Sequence, residues 1–79
     1  MNLKPLNNAQ EFGAMIRKVR KELGMTQPEL AAVSGTGVRF IVDLEKGKPT
    51  CELGKALQIA RVLGVRLIDA SAKEAPFNV

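Results

Sequence analysis

The sequence predicts a small all-α domain, with four helices followed by a short C-terminal β-strand. The chain has 79 residues, which suffices for one domain with a modest core. Apolar residues make up 46% of the chain but include only three Phe and neither Tyr nor Trp, so aliphatic side chains must fill the core. They recur at helical spacing in segments that begin with capping residues and end at glycines.

The first helix is predicted over residues 9–23. Asn8 is a capping residue three positions before Glu11, a spacing typical of a helix start, and Gly24 is a typical helix stop. The predicted arm before this helix covers residues 1–7. The apolar stripe of the helix comprises Phe12, Ile16, Val19 and Leu23.

The next two helices are short and close together. The letters "TQPE" indicate a capping box in which Thr26 caps the second helix and Glu29 lies at its third position. This helix is predicted to end before Gly35. The third helix is predicted over 38–46, with Gly47 as its stop.

Pro49 introduces the fourth helix, which ends before Gly64. Its predicted apolar stripe comprises Leu53, Leu57, Ala60 and Leu63. The helical core is therefore expected over 8–64, within a single domain that spans 1–79. Residues 65–71 are predicted to form a strand, because "VRLID" is typical of one, and residues 72–79 a loose tail.

Composition argues against enzymatic chemistry. The chain has no histidine, which removes a His-dependent triad, a His general base and a His metal site. Cys51 alone cannot build a tetrahedral zinc site or an internal disulfide, and a single thiol suits a reducing cytoplasm. We therefore expect a cytoplasmic protein with no metal, no cofactor, no signal peptide and no membrane span. The net charge of +4 suits a polyanionic partner.

The segment "TQPELAAVSGTGVRFIVDLEKG" predicts a helix-turn-helix. Two helices held at a steep angle need a small residue at their crossing, and Ala31 is suitably placed. The turn needs a residue that tolerates left-handed backbone geometry, which Gly35 supplies. Ile41 and Leu44 would form the inner face of the second helix of the pair against Leu30. Its exposed start could then enter a DNA major groove, which is about 12 Å wide.

These residues resemble a known family. "TQPELAAVSGTGVRFIVDLEKGKPT", with a basic helix before it and "LGKALQIARVLGV" after it, is similar to the lambda-repressor-like (Cro/C1, or XRE) DNA-binding domains. The resemblance covers about residues 9–64. The segments "RFIVDLEKGKPT" and "LGVRLIDA" narrow it to HipB-type antitoxins.

The resemblance implies that the third helix reads bases in a two-fold symmetric, double-stranded operator. Its groove-facing positions here are Val38, Arg39, Val42 and Asp43. Arg39 is the expected guanine reader, because Arg pairs bidentately with guanine O6 and N7. Val38 and Val42 would touch thymine methyl groups. Asp43 would either accept from a cytosine amine or orient Arg39, and a merely solvated Arg39 is the alternative.

The resemblance also implies phosphate contacts and one structural pair. The expected phosphate contacts are Gln27, Gly37, Lys46 and Lys48. Arg20 and Glu45 match a pair that forms an inward salt bridge in this family. Gly37 stands where the family usually has Ser or Thr, and Val42 replaces a common Ser. Both replacements lose polar contacts, so we expect moderate DNA affinity in the absence of a partner.

The strand residues are expected to pair across a homodimer. The strand comprises Val65, Arg66, Leu67, Ile68 and Asp69. A lone strand in a helical chain needs a partner for its backbone, and a second copy can supply it antiparallel across a two-fold axis. Val65 and Leu67 would then face the helices, with Arg66 toward solvent.

The sequence leaves three functions open. The first is a transcriptional repressor that serves as the antitoxin of a type II toxin–antitoxin pair, autoregulates its operon and neutralises a HipA-like Ser/Thr kinase. The second is a stand-alone phage-like or chromosomal regulator. The third is a protein-interaction module that holds a toxin and binds DNA weakly.

Overall fold

Four helices form along residues 4–71, the part of the chain that the computed structural model describes. In chain order they are α1 (Ala9–Glu22), α2 (Gln27–Ser34), α3 (Val38–Glu45) and α4 (Leu53–Val62). The predicted four-helix fold is therefore confirmed, with α1 and α3 each one residue shorter than expected. Residues 1–3 of the predicted arm and the predicted tail at 72–79 lie outside the described residues.

Side-chain caps define where the first two helices begin. Asn8 Oδ1 accepts the backbone N–H of Glu11 at 2.8 Å. At the start of α2, Thr26 Oγ1 accepts the N–H of Glu29 at 3.1 Å, and Glu29 Oε1 accepts the N–H of Thr26 at 2.8 Å. This is the predicted capping box, and it satisfies two backbone donors reciprocally. At the other end of α2, Gly35 adopts the predicted left-handed conformation, with φ of 71°.

One aliphatic core joins all four helices. Its buried members are Ile16, Leu30, Ala31, Ile41, Leu44, Ala56, Ile59, Ala60 and Leu63. Phe12 and Val19 of the predicted α1 stripe pack against this core, and Phe40 packs against it from α3. Because α1 and α2 both contact α3, the core fixes the position of the predicted reader helix.

The predicted apolar stripes of α1 and α4 each include residues that the structure leaves exposed. Leu23 is exposed, because α1 ends at Glu22 and Leu23 caps it outside the core. On α4, Leu53 is 69% exposed and Leu57 is 41% exposed. The row that α4 buries is Ala56, Ile59, Ala60 and Leu63, and the two leucines lie on the neighbouring row. Both rows are consistent with helical spacing, and only tertiary packing selects the buried one.

The predicted C-terminal strand is not formed within the single chain: among residues 4–71 the structure has no β-strand. Val65 packs against the core, and its N–H donates to Ala60 O at 2.9 Å. Leu67 lines clefts beside α1 and α4 and is half exposed, Arg66 is exposed, and Ile68 is 75% exposed. A strand needs a second backbone segment hydrogen-bonded beside it, and residues 4–71 form no such pairing with this segment.

No helix among the described residues is long and apolar enough to cross a membrane.

Candidate nucleic-acid interface

The turn between α2 and α3 is fixed by hydrogen bonds from three directions. Ser34 is buried, and its Oγ donates to Leu30 O at 2.7 Å and lies 3.0 Å from Thr36 Oγ1. The N–H of Thr36 donates to Ala31 O at 3.0 Å. From α4, Gln58 Nε2 donates to Ser34 O at 2.6 Å. Together with the left-handed Gly35, these bonds set the angle at which α3 leaves α2.

α3 divides into a buried face and an outer face. Ile41 and Leu44 are buried in the core, as the sequence predicts. The four predicted base-reading residues lie on the other face: Val38 and Arg39 are exposed, and Val42 and Asp43 are half-buried. The exposed members are at the start of the helix, the part that enters the groove in helix-turn-helix proteins.

Asp43 connects two of the predicted DNA-contacting cations. Its Oδ1 lies 3.4 Å from Arg39 Nε, and its Oδ2 lies 3.7 Å from Lys48 Nζ. A backbone hydrogen bond also joins Lys48 to Asp43, since the N–H of Lys48 donates to Asp43 O at 3.0 Å. The Arg39 side chain is still 83% exposed, so the pair leaves its guanidinium accessible. In the free chain the Asp43 carboxylate therefore lies beside the Arg39 guanidinium, and both predicted roles for Asp43 stay predictions.

Arg20 and Glu45, predicted to pair, are in bidentate contact between α1 and α3. Arg20 Nε donates to Glu45 Oε2 at 2.6 Å and Nη2 donates to Oε1 at 3.0 Å, with both side chains buried. The remaining terminal nitrogen, Nη1, donates to Met25 O at 2.7 Å. A buried charge is tolerated when it is paired and hydrogen-bonded in this way.

The pair also changes the protonation chemistry of Arg20. The hydrogen bond that Arg20 donates to Glu45 is the largest cause that raises the pKa of Arg20; burial opposes it, and the charge of Glu45 adds to the rise. A raised pKa means that the folded state holds the proton more tightly than the unfolded chain does. The associated stability is thus fully present below the ordinary pKa of arginine and is lost only as the pH rises through the raised value.

Gln27 lies at the first position of α2 and joins the same cluster. Its Nε2 donates to Glu45 Oε1 at 3.1 Å, so one glutamate oxygen accepts from both Arg20 and Gln27. The sequence predicted only a phosphate contact for Gln27. The additional bond to Glu45 follows from packing between residues 18 positions apart, for which the sequence carries no local signal.

The other predicted phosphate contacts flank α3. Gly37 is its N-cap, with φ of −88° and no side-chain cap, and a Cβ added there would meet nothing within 4 Å. Lys46 is the exposed C-cap of the helix. Lys48 follows one residue later and is the cation held by Asp43. The structure thus links Arg39, Asp43 and Lys48 to one another, and Gln27 to Glu45, but shows no contact that joins Gly37 to either group.

Gly13 is a positioning residue that the sequence analysis missed. A Cβ at this position would lie 2.1 Å from the backbone oxygen of Leu44 and 3.0 Å from that of Glu45. The absence of a side chain therefore lets α1 approach the end of α3 closely. A glycine inside a helical pattern is the signal that could have indicated such a contact.

Gly47 makes a second close approach near the same end of α3. It has φ of 86°, and a Cβ there would lie 2.7 Å from Gln10 Cα. The sequence predicted its role as a helix stop but not its contact with α1.

Cys51 is a half-buried free thiol beside the core. Within residues 4–71, no group of three or more His, Cys, Asp or Glu side chains is arranged to hold a metal ion.

Comparison with known proteins agrees with this geometry. The helix-turn-helix family matches residues 16–69, more than half of the chain. The chain belongs to the helix-turn-helix family. The predicted resemblance to the XRE, lambda-repressor-like members is confirmed.

Relatives of this helix-turn-helix protein are described as transcriptional regulators. An uncharacterized HTH-type transcriptional regulator of Sinorhizobium fredii, y4mF, is 52% identical over 61 residues, which cover 77% of this chain and 80% of that protein. Another from Methanothermobacter thermautotrophicus is 50% identical over 50 residues, which cover 63% of this chain and 72% of that protein.

Solved structures show the same fold in HipB. A chain described as part of a HipB–O4 20mer complex superposes with a TM-score of 0.75 at 24% identity, covering 86% of this chain and 99% of that chain. A HipB variant in a complex with an O2 20mer gives the same TM-score and identity, with 87% and 99% coverage. At this identity, the likeness supports the fold alone.

Proposed function

We propose that this helix-turn-helix protein binds a two-fold symmetric, double-stranded DNA operator as a homodimer and represses transcription. One observation carries the proposal. Arg39 stands 83% exposed near the start of α3, on a helix whose angle is fixed by the hydrogen-bonded turn. A guanidinium presented by a rigid helix is the group best suited to read guanine in a major groove.

Within this proposal, the outer face of α3 reads bases. Arg39 pairs with guanine O6 and N7, and the exposed Val38 meets a thymine methyl group. Val42 is half-buried and contributes apolar contact from the next turn. Asp43 orients Arg39 through the 3.4 Å ion pair, which favours that role over direct contact with a cytosine amine.

Phosphates on either side of the groove are bound by groups around α3. Lys46 and Lys48 follow the helix and supply positive charge. Gln27 and the backbone of Gly37 lie at the starts of α2 and α3, where helix N-termini favour anions. Such contacts fix the register of the protein on DNA, whereas Arg39 supplies the sequence preference.

The homodimer is proposed to form through residues 65–69 together with the outer face of α4. Leu53 and Leu57 on α4, and Leu67 and Ile68 beyond it, are large apolar side chains that the single chain leaves exposed. Antiparallel pairing of two copies of the segment would supply the backbone partner that a strand requires, and Leu67 would face the helices while Ile68 points to the opposite side.

The further proposal is that the chain is an antitoxin. The HipA-like Ser/Thr kinase partner comes from the sequence resemblance to HipB-type antitoxins, and the superposition on HipB chains adds only that the fold is shared. The antitoxin assignment is more specific than the assignment of DNA binding. Co-purification with such a kinase encoded beside this chain would test it. A chain that represses its own promoter without any kinase neighbour would instead be a stand-alone regulator.

The test of DNA binding is a footprint of the purified chain on its own promoter, followed by selection of operator variants with Arg39→Ala. The variant should lose base preference at one position in each half-site, a discrimination worth about 1–3 kcal/mol. Arg17→Ala removes the same charge from the exposed face of α1, away from the proposed dimer interface, and is the matched control.

Two outcomes would refute the proposal. No footprint from the wild-type chain would refute operator binding itself. An unchanged ranking of operator variants with Arg39→Ala would refute the assignment of the reader. Lys48→Ala should behave differently from Arg39→Ala. It should weaken binding to all operator sequences alike and lower the slope of log K against log salt concentration by about one.

A further inference from the structure

We propose that Glu45 is a positioning residue for DNA binding, acting through Gln27. The inference rests on the function proposed above, in which Gln27 contacts a phosphate. Glu45 is buried and, from the sequence, has only the role of pairing with Arg20. The structure places a third group on the same carboxylate, and that group belongs to the proposed DNA surface.

The hydrogen bonds determine which way the Gln27 amide points. Glu45 Oε2 accepts from Arg20 Nε, and Oε1 accepts from both Arg20 Nη2 and Gln27 Nε2, at 3.0 and 3.1 Å. An ionised carboxylate only accepts hydrogen bonds, so the amide nitrogen, not the amide oxygen, must face it. Arg20 donates to both oxygens of the carboxylate and fixes its position, and the carboxylate in turn fixes the orientation of the Gln27 amide.

This orientation suits a phosphate. The amide nitrogen carries two N–H groups, and Glu45 uses one of them, which leaves the second as a donor. Without Glu45 the amide could rotate and present its oxygen to the phosphate, which would repel it.

A backbone donor lies at the same place. Pro28 has no N–H, and the capping box uses the N–H of Glu29, so the N–H of Gln27 is the first-turn donor that the box leaves over. Gln27 can therefore offer one backbone and one side-chain donor to the same anion.

Removing Glu45 alone would change three properties at once: the stability of the fold, the local charge and the orientation of Gln27. Only the orientation depends on residue 27 being glutamine. Replacing both partners in Arg20→Met/Glu45→Met leaves the net charge unchanged and leaves no buried charge unpaired. Buried ion pairs replaced by apolar residues in this way often preserve or improve stability. This background therefore isolates the effect on Gln27.

The experiment is a double-mutant cycle on operator affinity, measured at a temperature where every variant is folded. Gln27→Ala should weaken binding about tenfold in the wild-type background. In the Arg20→Met/Glu45→Met background it should weaken binding less than about twofold, because the amide is no longer held. Lys48→Ala is the matched control and should have the same effect in both backgrounds, since Lys48 pairs with Asp43 and not with Glu45.

Equal effects of Gln27→Ala in the two backgrounds would overturn the positioning role while leaving the proposed function intact. Absence of operator binding by the wild-type chain would refute the proposed function, and this inference with it. If the double-methionine background does not fold, NMR of the free wild-type chain decides. One of the two Gln27 side-chain N–H protons should be protected from exchange, and equally fast exchange of both would overturn the proposal.

Discussion

The contact between α1 and α3 differs sharply from the outer face of α4. Between α1 and α3 the chain buries charged groups, Arg20 and Glu45, and the hydrogen bonds they need come from the same chain. On and beyond α4 it exposes large apolar groups: Leu53, Leu57, Leu67 and Ile68 are between 41% and 75% exposed. The α1–α3 contact thus buries charged groups, whereas the surface on and beyond α4 exposes apolar ones.

The difference separates two tasks. The α1–α3 contact is complete in one chain, so the position of α3 does not depend on assembly. The α4 side exposes large apolar side chains, and contiguous exposed apolar patches typically mark an interaction site. Substitutions on the first side should therefore alter folding, and substitutions on the second should alter association without altering the fold.

The largest expected effect is on the α1–α3 side. Glu45→Ala leaves the buried Arg20 without its carboxylate, which should lower the free energy of unfolding by about 3–5 kcal/mol. Thermal or denaturant unfolding followed by circular dichroism measures it. Glu22→Ala is the control, because Glu22 is exposed and lies 3.9 Å from an exposed Lys18. Equal losses for the two variants would mean that the Arg20–Glu45 pair contributes no more than a surface pair.

A smaller loss is expected from Gly13→Ala at the same contact. The new methyl group would meet the backbone oxygen of Leu44, so the helices must shift, and overpacking of this kind costs about 1–3 kcal/mol. Gly37→Ala adds the same methyl group at a position with open space around it, and provides the matched control in the same unfolding assay. A destabilisation by Gly13→Ala no greater than that by Gly37→Ala would show that the close approach is unimportant.

On the α4 side, Leu67→Asp should weaken the dimer and leave the monomer folded. The substitution places a charge where the proposed interface buries an apolar side chain, and we expect the dimer dissociation constant to rise about tenfold, corresponding to about 1.4 kcal/mol. Sedimentation measures association, while circular dichroism monitors helix content. Val33→Asp replaces a similarly exposed apolar residue on α2 and should leave association unchanged. A Leu67→Asp chain as dimeric as wild type would remove residues 65–69 from the interface.

Most of the fold could be predicted because its boundaries are set by neighbours in sequence. The Thr26–Glu29 capping box and the left-handed Gly35 act within a few residues, so "TQPE" and "SGTG" indicate them directly. The stripe on α4 was mispredicted for the opposite reason: choosing between Leu57 and Ile59 as the buried row depends on where the other helices pack.

The contacts of the candidate site are likewise of two kinds, those between residues near in sequence and those between distant residues. Arg39 and Lys48 are positions that a family motif can indicate, and their mutual contact with Asp43 is short in sequence. The contacts of Gln27 with Glu45 and of Gln58 with Ser34 join residues 18 and 24 positions apart. Such contacts depend on tertiary structure, and the letters of either partner alone do not specify them.

The Arg20 guanidinium has a consequence for how the domain unfolds. From α1 it donates to Glu45 at the end of α3 and to Met25 O in the connection that leads into α2. When α1 detaches, hydrogen bonds to both other segments break in the same event, and a charge on α3 loses its partner. Partial opening at this contact therefore already breaks the hydrogen bonds that join α1 to both other segments. The first three helices should melt as one cooperative unit, although the longest of them has only 14 residues.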